Sequence, residues 1–542
     1  MKKILISTCL AAVLFTSCSK DLAIENPNSP TPASLESENG IVNFATGGVY
    51  TTGFKSLKYT DGVFGPFWSG ATGFHELMGD VIGCDAANAF MNALGCPQSV
   101  THDDASTVIN PNSPNTQKSL LRQVNVNQQA GNNFVYYEWA QMYNLIGACN
   151  LLLEKVDAAT YVGDAASKKA AIKAWANWWK GFAYSRIGST YYAGLIVNTA
   201  FGSNGNYVTK EKMIQEANAT LDKAVADANS APSATVFTET WGKIIPTIFQ
   251  VGNGGPLSPT MLAKHVSSLK ARNLLVSKTT ASMTSADWTS VLSLANSGLI
   301  SSDKIFTVRS DARGDLFFSS QLIMGRTYST SPGGATYKIS ERLIQEFKPG
   351  DRRKDNNFTQ GTPYTGQSDR GNAHFTRWSL VNGGNGIAGV VIYANGTPGA
   401  FEMPISVSYE ENQLMKAEAH INLGGSGIET GLGIIDALRN SQGAGLAAVA
   451  GTGLTQAQAR EELRRERRIV IALRGLSFWD ARRWGVATSS TGRTGCVALK
   501  NTGSVSNNAT IVYNFLDFWD VPGNELTYNP PAAGSAPVVN PN

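Results

Sequence analysis

LTQAQAREELRRERRIVIALRGLSFWDARRWG, residues 454–485, is the stretch whose reading decides the fold. Thr455 with Gln458 three residues later opens a helix as a capping box, and Gly475 is a natural left-handed stop. Between them Ala459, Leu463, Val470 and Leu473 recur on one stripe at helical spacing. Glu466 falls on that same stripe, surrounded by Arg464, Arg465, Arg467 and Arg468. A carboxylate on an apolar face is costly unless paired, and a guanidinium satisfies both of its oxygens. Beyond Gly475, Phe478, Trp479, Arg482, Arg483 and Trp484 predict a second short helix that folds back. The expectation is therefore a buried ion pair of Glu466 with Arg482 or Arg483. An Arg-rich helix with a solvated face is the plainer alternative. A nucleic-acid patch is disfavoured, because Glu461, Glu462 and Glu466 interrupt the arginine run.

Around this stretch lies a chain of 542 residues, long enough for a large core, with 42% hydrophobic and 16% charged residues. The formal charge is +4, and removal of Lys2 and Lys3 with a leader would leave about +2. A near-neutral surface gives no electrostatic case for nucleic acid or acidic lipid as the main partner.

Residues 1–17 have signal-peptide anatomy: Lys2 and Lys3, then an apolar run from Ile4 to Phe15 too short to span a bilayer. Phe15-Thr16-Ser17-Cys18 resembles a bacterial lipobox, which makes Cys18 the expected lipid-bearing N-terminus. Several acyl chains on one cysteine suffice for stable anchoring. Residues 18–33, with Pro27, Pro30 and Pro32, read as a tether, and residues 34–542 as one composite globule.

A helix is expected near Ser34, and another near 72–82 in the loop-rich segment 51–131. Phe134, Tyr137, Gln141, Leu145, Ala148 and Leu152 mark one long helix; Ile172, Trp175, Trp178, Trp179 and Phe182 mark the next. Further helical patterns occupy about 209–228, 258–277, 284–299, 405–422 and 428–440, whereas 300–400 reads as loops and small strands. Stacked helix pairs of this length suggest a solenoid, although no clean repeat period is visible.

Familiar catalytic patterns are absent. Cys84, Cys96, Cys149 and Cys496 form no C-x-x-C pair; a Cys84–Cys96 bridge and unpaired burial both remain open. His75, His102, His265, His374 and His420 are scattered, with no i, i+4 pair to hold a metal. Gly384 to Gly389 satisfies G-x-G-x-x-G only formally, since the strand-like Val390–Tyr393 follows it instead of a helix. The adjacent carboxylates Glu410-Glu411 and Asp103-Asp104 do not by themselves make a glycosidase pair, whose separation is a spatial fact. No cofactor is expected, and no enzyme activity.

RRERRIVIALRGLSFWDARRWG resembles the C-terminal signature of the SusD/RagB family, E-R-R-x-E-L-x-F-E-G-x-R-F-x-D-L-R-R-W. Ala472-Leu473-Arg474 departs from it, replacing the usual acidic residue before Gly475. Four weaker matches follow in family order: the long helix within AIKAWANWWKGFAYSRIGSTYYAG, KPGDRRKDNN (348–357), SYEENQLMKAEAHINLG (408–424) and DVPGNELTYNP (520–530). The resemblance implies a mainly α fold, a tetratricopeptide-like helical repeat scaffold with a loop-rich, small-strand-containing ligand-binding portion. It further implies a lipid-anchored outer-membrane protein, facing the cell exterior, that captures oligosaccharide and passes it to a SusC-like TonB-dependent transporter. Peptide capture of the RagB kind, a lipid-anchored glycoside hydrolase and a purely structural helical adaptor are the alternatives.

Aromatic side chains are the best lead to a ligand, since Trp and Tyr faces stack on the C–H face of a sugar ring. Trp175, Trp178 and Trp179 are core residues by spacing. Trp68 in GVFGPFWSG and Trp378 in HFTRWSL lie in Gly-rich and polar surroundings, and Tyr364 in GTPYTGQSD. Arg377, Asn372 and Asp369 are the expected polar neighbours of Trp378, and His75 and Glu76 those of Trp68.

Overall fold

The computed structural model describes residues 32–50, 70–85, 89–129, 131–309, 327–366, 374–383, 387–395, 397 and 399–542. The leader, Cys18, most of the tether, Trp68, Asp369 and Asn372 lie outside the described residues.

The long helices run α1 Phe134–Lys155, α2 Ala165–Thr190, α3 Lys210–Asn229, α4 Pro259–Ser277 and α5 Ser285–Asn296, then α6 Tyr409–Leu423, α7 Gly427–Ser441, α8 Gln456–Val470 and the short α9 Ser477–Arg483. Each packs on its neighbours in turn, α1 on α2, α2 on α3, α3 on α4, α4 on α5, α5 on α6, and α6 on both α7 and α8. This is the stacked arrangement expected of a helical repeat. Among the described residues no helix is long and apolar enough to cross a membrane.

The centre of the stack is α2. Asp164 caps it by accepting the Ser167 N–H at 3.0 Å, and its side chains are buried on almost every side. Its apolar residues fill the core, and its buried polar ones need partners there, as Arg186 finds in Glu138 at 2.6 Å. Trp175, Trp178 and Trp179 surround Phe306, with ring centroids at 5.7, 5.7 and 5.0 Å. The Trp175 indole donates to the Ala45 carbonyl at 3.2 Å, so this ring also meets its polar need. Truncating one such ring to alanine costs roughly 3–5 kcal/mol.

Strands are short; among the described residues four lie within 300–400, where the sequence suggested small strands, and the others are spread through the rest of the chain. β1 Ile82–Cys84 pairs antiparallel with β2 Tyr337–Ile339. β3 Phe358–Tyr364 pairs antiparallel with β4 Thr376–Leu380, setting Gln360 opposite Trp378 and Tyr364 opposite Thr376. A separate four-stranded sheet joins Arg493–Leu499, Val505–Val512, Ser99–Thr101 and Thr107–Ile109 in that order. Cys84 and Cys96 are buried thiols and not halves of a disulfide.

The signature stretch differs from its reading in two respects. The capping box of Thr455 and Gln458 forms, but α8 ends at Val470, five residues before Gly475. Leu473 turns left-handed (φ 64°) ahead of Gly475 (φ 72°). The carboxylate of Glu76 pays for this turn, accepting the N–H of Leu473 at 2.8 Å, Gly475 at 2.8 Å and Leu476 at 3.1 Å, with the Ser477 hydroxyl at 2.9 Å. Without that remote acceptor, the N–H groups at the start of α9 would be buried without partners.

The second difference concerns Glu466. It is wholly buried, and its partners are Arg353, at 2.6 and 3.2 Å, and Arg439, at 2.8 Å, in place of Arg482 or Arg483. Arg482 instead donates to the carbonyls of Ser189, Val276 and Asp517 at 2.8–2.9 Å. The first two close α2 and α4, where a cation complements the exposed carbonyls of a helix C-terminus. Arg483 binds Glu418 of α6 at 2.9 Å and Asp480 at 2.7 Å, and Asp480 also holds Arg467 at 2.8 Å. Arg353 is further fixed by Asp351 at 2.8 Å. Two buried sets of ion pairs thus hold the signature stretch, one joining it to Asp351, Arg353 and Arg439 and the other to Glu418 of α6. Their chemistry is scaffolding.

Candidate ligand-binding surface

That scaffold positions the hairpin of β3 and β4. Arg353, gripped by Glu466 and Asp351, belongs to the helical turn Arg352–Asn357 that feeds directly into β3. Asn357 closes the turn, donating to the carbonyls of Arg353 at 2.9 Å and Val391 at 2.8 Å and accepting the N–H of Tyr393 at 2.7 Å. The hairpin is therefore tied at its base to the buried network.

Trp378 lies on β4, half-buried, with its inner side against the core. The Lys354 ammonium stands 5.6 Å from its ring centre, and exposed Gln360 is its cross-strand partner. Its indole Nε1 is buried and has no hydrogen-bond partner among the described residues. A partly exposed ring with an amide and an ammonium around it is equipped to stack on a sugar, while those two side chains bind its hydroxyls. Arg377, expected beside it as a donor, is consumed by Glu341 at 2.9 Å.

Tyr364 ends β3 and does not sit in a free loop. Opposite Thr376, it faces the side of the hairpin that carries Trp378, roughly 7–8 Å along the diagonal. Its hydroxyl donates to the carboxylate of Asp85, and the Lys338 ammonium covers its ring at 4.4 Å. Burial lowers the pKa of Lys338, opposed by Asp85. Tyr364 is thus knitted into a cluster with Asp85 and Lys338.

The groups expected beside Trp68 are structural. His75 is fully buried with Nε2 at 2.6 Å from Glu138, and Glu76 is occupied by the α8–α9 turn. Burial holds His75 below its ordinary pKa although Glu138 opposes this. Burial also brings His374 down to about 4, so it is neutral near pH 7. Among the described residues, no group of three His, Cys, Asp or Glu side chains is placed to hold a metal. Of the adjacent carboxylates, Glu411 is buried against Arg272 at 2.7 Å, while Asp104 pairs with Lys500 at 2.7 Å. Neither pair presents two free carboxyl groups to a common cleft.

Gln360 and Lys354 were not legible as site residues. Strand register brings one across from Trp378, and a helical turn brings the other, from 18 and 24 positions upstream.

Residues 409–530 match the sequence model of the SusD family. No curated protein matches the chain. Solved structures with the same fold include a SusD-like carbohydrate binding protein from Bacteroides fragilis, 16% identical, with a TM-score of 0.57 over 92% of this chain and 99% of that one. A second SusD-like protein from the same species is 14% identical, TM-score 0.53, over 92% and 97% of the two chains. A SusD homolog from Bacteroides thetaiotaomicron is 13% identical, TM-score 0.53, over 84% and 88%. At these identities the likeness establishes the fold.

Proposed function

Because the chain belongs to the SusD/RagB family, we propose that it is a carbohydrate-binding protein that captures oligosaccharide at the hairpin of β3 and β4. The observation that carries this reading is Trp378, a half-buried ring beside Lys354 and exposed Gln360. A structural relative is itself described as carbohydrate binding. Capture needs no chemistry from the protein: stacking and hydrogen bonds suffice for a neutral ligand. In the fuller form of this proposal, Cys18 carries a lipid anchor in the outer membrane, and a SusC-like TonB-dependent transporter receives the ligand. Trp68 remains a candidate second ring.

The test is calorimetric titration of an oligosaccharide panel into the wild type and into Trp378→Ala and Gln360→Ala. A stacked ring contributes about 1 kcal/mol beyond its burial, so Trp378→Ala should weaken binding several-fold or more. If Trp378→Ala and Gln360→Ala both bind like wild type while remaining folded, the platform is not on this hairpin. Product release from any panel member would favour a hydrolase instead.

A further inference from the structure

A cavity of about 360 Å3 lies where the start of α6, the end of α7, the α8–α9 turn and the strand Glu402–Pro404 meet. It is separate from the hairpin surface, since Trp378, Gln360 and Lys354 do not line it. Its volume falls at the small end of the range in which proteins hold small molecules. Val391, Ile392, Tyr393, Phe401, Ala472 and Leu473 give it apolar walls, and the ring of Tyr409 is partly exposed there.

The polar lining divides into groups that are satisfied and groups that are not. Asp303 is held by Lys264 at 3.0 Å, and Glu402 by Arg309 at 3.2 Å and the Gly254 N–H at 3.0 Å. Arg474, in contrast, donates only to the Ser408 hydroxyl at 3.1 Å and stands 3.8 Å from the Glu410 carboxylate. Its remaining nitrogens have no partner among the described residues, nor does the Tyr409 hydroxyl. Gln442 is only 7% exposed; its oxygen accepts from Arg353 at 2.9 Å, and its amide N–H2 has no partner among the described residues. This amide donor lines the cavity and is free to bond a ligand there.

Arg474 is also the residue at which the chain departs from the SusD/RagB pattern, a cation where an acid is usual. The turn that bears it is built by Glu76, which draws the flanking N–H groups of Leu473 and Gly475. With Lys264 and Arg309 counted, the charges at the cavity cancel: Asp303, Glu402 and Glu410 against Lys264, Arg309 and Arg474. An ion gains nothing from such a site. A neutral polyol does, because a guanidinium and a carboxylate form charge-assisted bonds to hydroxyls while aromatic walls take its C–H face.

We propose that this cavity is a second, small saccharide site that takes one neutral sugar ring, with Arg474, Glu410 and Gln442 on its hydroxyls and Tyr409 against its face. The proposal stands on the cavity's own groups and shares with the hairpin reading only the ligand class.

The experiment uses methyl glycosides of glucose, galactose, mannose and N-acetylglucosamine, with L-alanine as a zwitterionic probe, in saturation-transfer NMR and calorimetry. It is run on the mature protein and repeated in Trp378→Ala, so that binding measured there belongs to the cavity. The expected result is saturable binding of at least one glycoside, weakened about tenfold or more by Arg474→Ala, as loss of hydrogen bonds to a charged group implies. Tyr409→Phe should weaken it less, and thermal unfolding confirms that each variant is folded. If Arg474→Ala perturbs the fold, Glu410→Gln serves as the second variant and should likewise weaken the glycoside. No saturable glycoside binding in Trp378→Ala, binding indifferent to both the Arg474 and Glu410 variants, or a preference for L-alanine would each overturn the proposal. None of these outcomes touches the hairpin reading, which fails only if long oligosaccharides ignore Trp378.

Discussion

Replacing Glu466 with alanine removes a fully buried acceptor from a charge cluster inside the fold. Three hydrogen bonds leave with it, two from Arg353 and one from Arg439. The cluster sets four carboxylates, Asp351, Asp436, Glu462 and Glu466, against three cations, Lys348, Arg353 and Arg439, and the variant loses the carboxylate that Arg353 and Arg439 share. Arg353 and Arg439 are 0% and 3% exposed and cannot reach water. Removing one partner of a buried pair costs about 3–5 kcal/mol. Asp351 and Glu462 remain on the two arginines, which places the expectation near the lower limit, about 3 kcal/mol. Glu462 is the internal comparison: it binds the same Arg439 at 2.9 Å, but its side chain is 15% exposed and its other partner Lys348 is 31% exposed. Glu462→Ala should therefore cost only about 1 kcal/mol, towards the value of a surface pair. Guanidinium unfolding followed by near-UV circular dichroism measures both. Equal midpoints for the two variants would refute the reasoning, because burial would then not be what makes Glu466 matter.

Acid should weaken the fold in two stages. Burial holds His265 and His374 at about 4 and keeps His75 below its ordinary value. The unfolded chain therefore binds protons that the native state refuses as pH falls from about 6.5 towards 4, and stability drops across that window. Below it, Glu346 and Asp80 take over: burial alone would raise them, but Arg464, Arg493 and Arg468 bring Glu346, and Arg342 brings Asp80, to about 2. Their contribution is present above pH about 4.5 and lost as pH falls towards 2; unfolding midpoints that stay level from neutral pH to about 4 would contradict the first stage. Gly475→Ala should lose more than about 1 kcal/mol by thermal unfolding, because the φ of 72° is left-handed and a Cβ would lie 2.5 Å from that of Thr72. Cys18→Ala should release the protein from the membrane fraction or leave its leader uncleaved, and an unchanged membrane-bound mature species would exclude lipidation there.

What could be read from the residues was what depends on neighbours in sequence. The cap of α8 needs only Thr455 and Gln458, and the burial of Trp175, Trp178 and Trp179 follows from helical spacing. Glu466 lies on an apolar stripe, and it is buried; its partner is another matter. Arg482 and Arg483 are near in sequence, whereas Arg353 lies 113 residues upstream and arrives through packing. The early end of α8 was hidden because the apolar run from Ile469 to Leu473 reads as continued helix, and the group that breaks it, Glu76, is some 400 positions away. Sequence separation also explains the misreading of His75 and Glu76 as ligand groups, whose partners lie 63 and some 400 positions away. Nothing in GATGFHELM announces that both are spent on Glu138 and on the α8–α9 turn.

The contacts of Glu76 have a consequence for how the chain reaches this state. The helix Gly70–Met78 carries His75 and Glu76 into the interior, yet the acceptor role of Glu76 is filled only by residues 473–477. Arg468 likewise closes on the carbonyls of Gly79 at 2.9 Å and Asp80 at 3.1 Å. At ribosomal speeds of about 5–20 residues per second, those partners emerge tens of seconds after the helix does. Until then its early segments hold charges that are cheaper to leave in water, and contacts of such sequence separation are slow to close. The helix Gly70–Met78 therefore finds its full set of partners only when the C-terminal signature is present, and this part of the fold closes late.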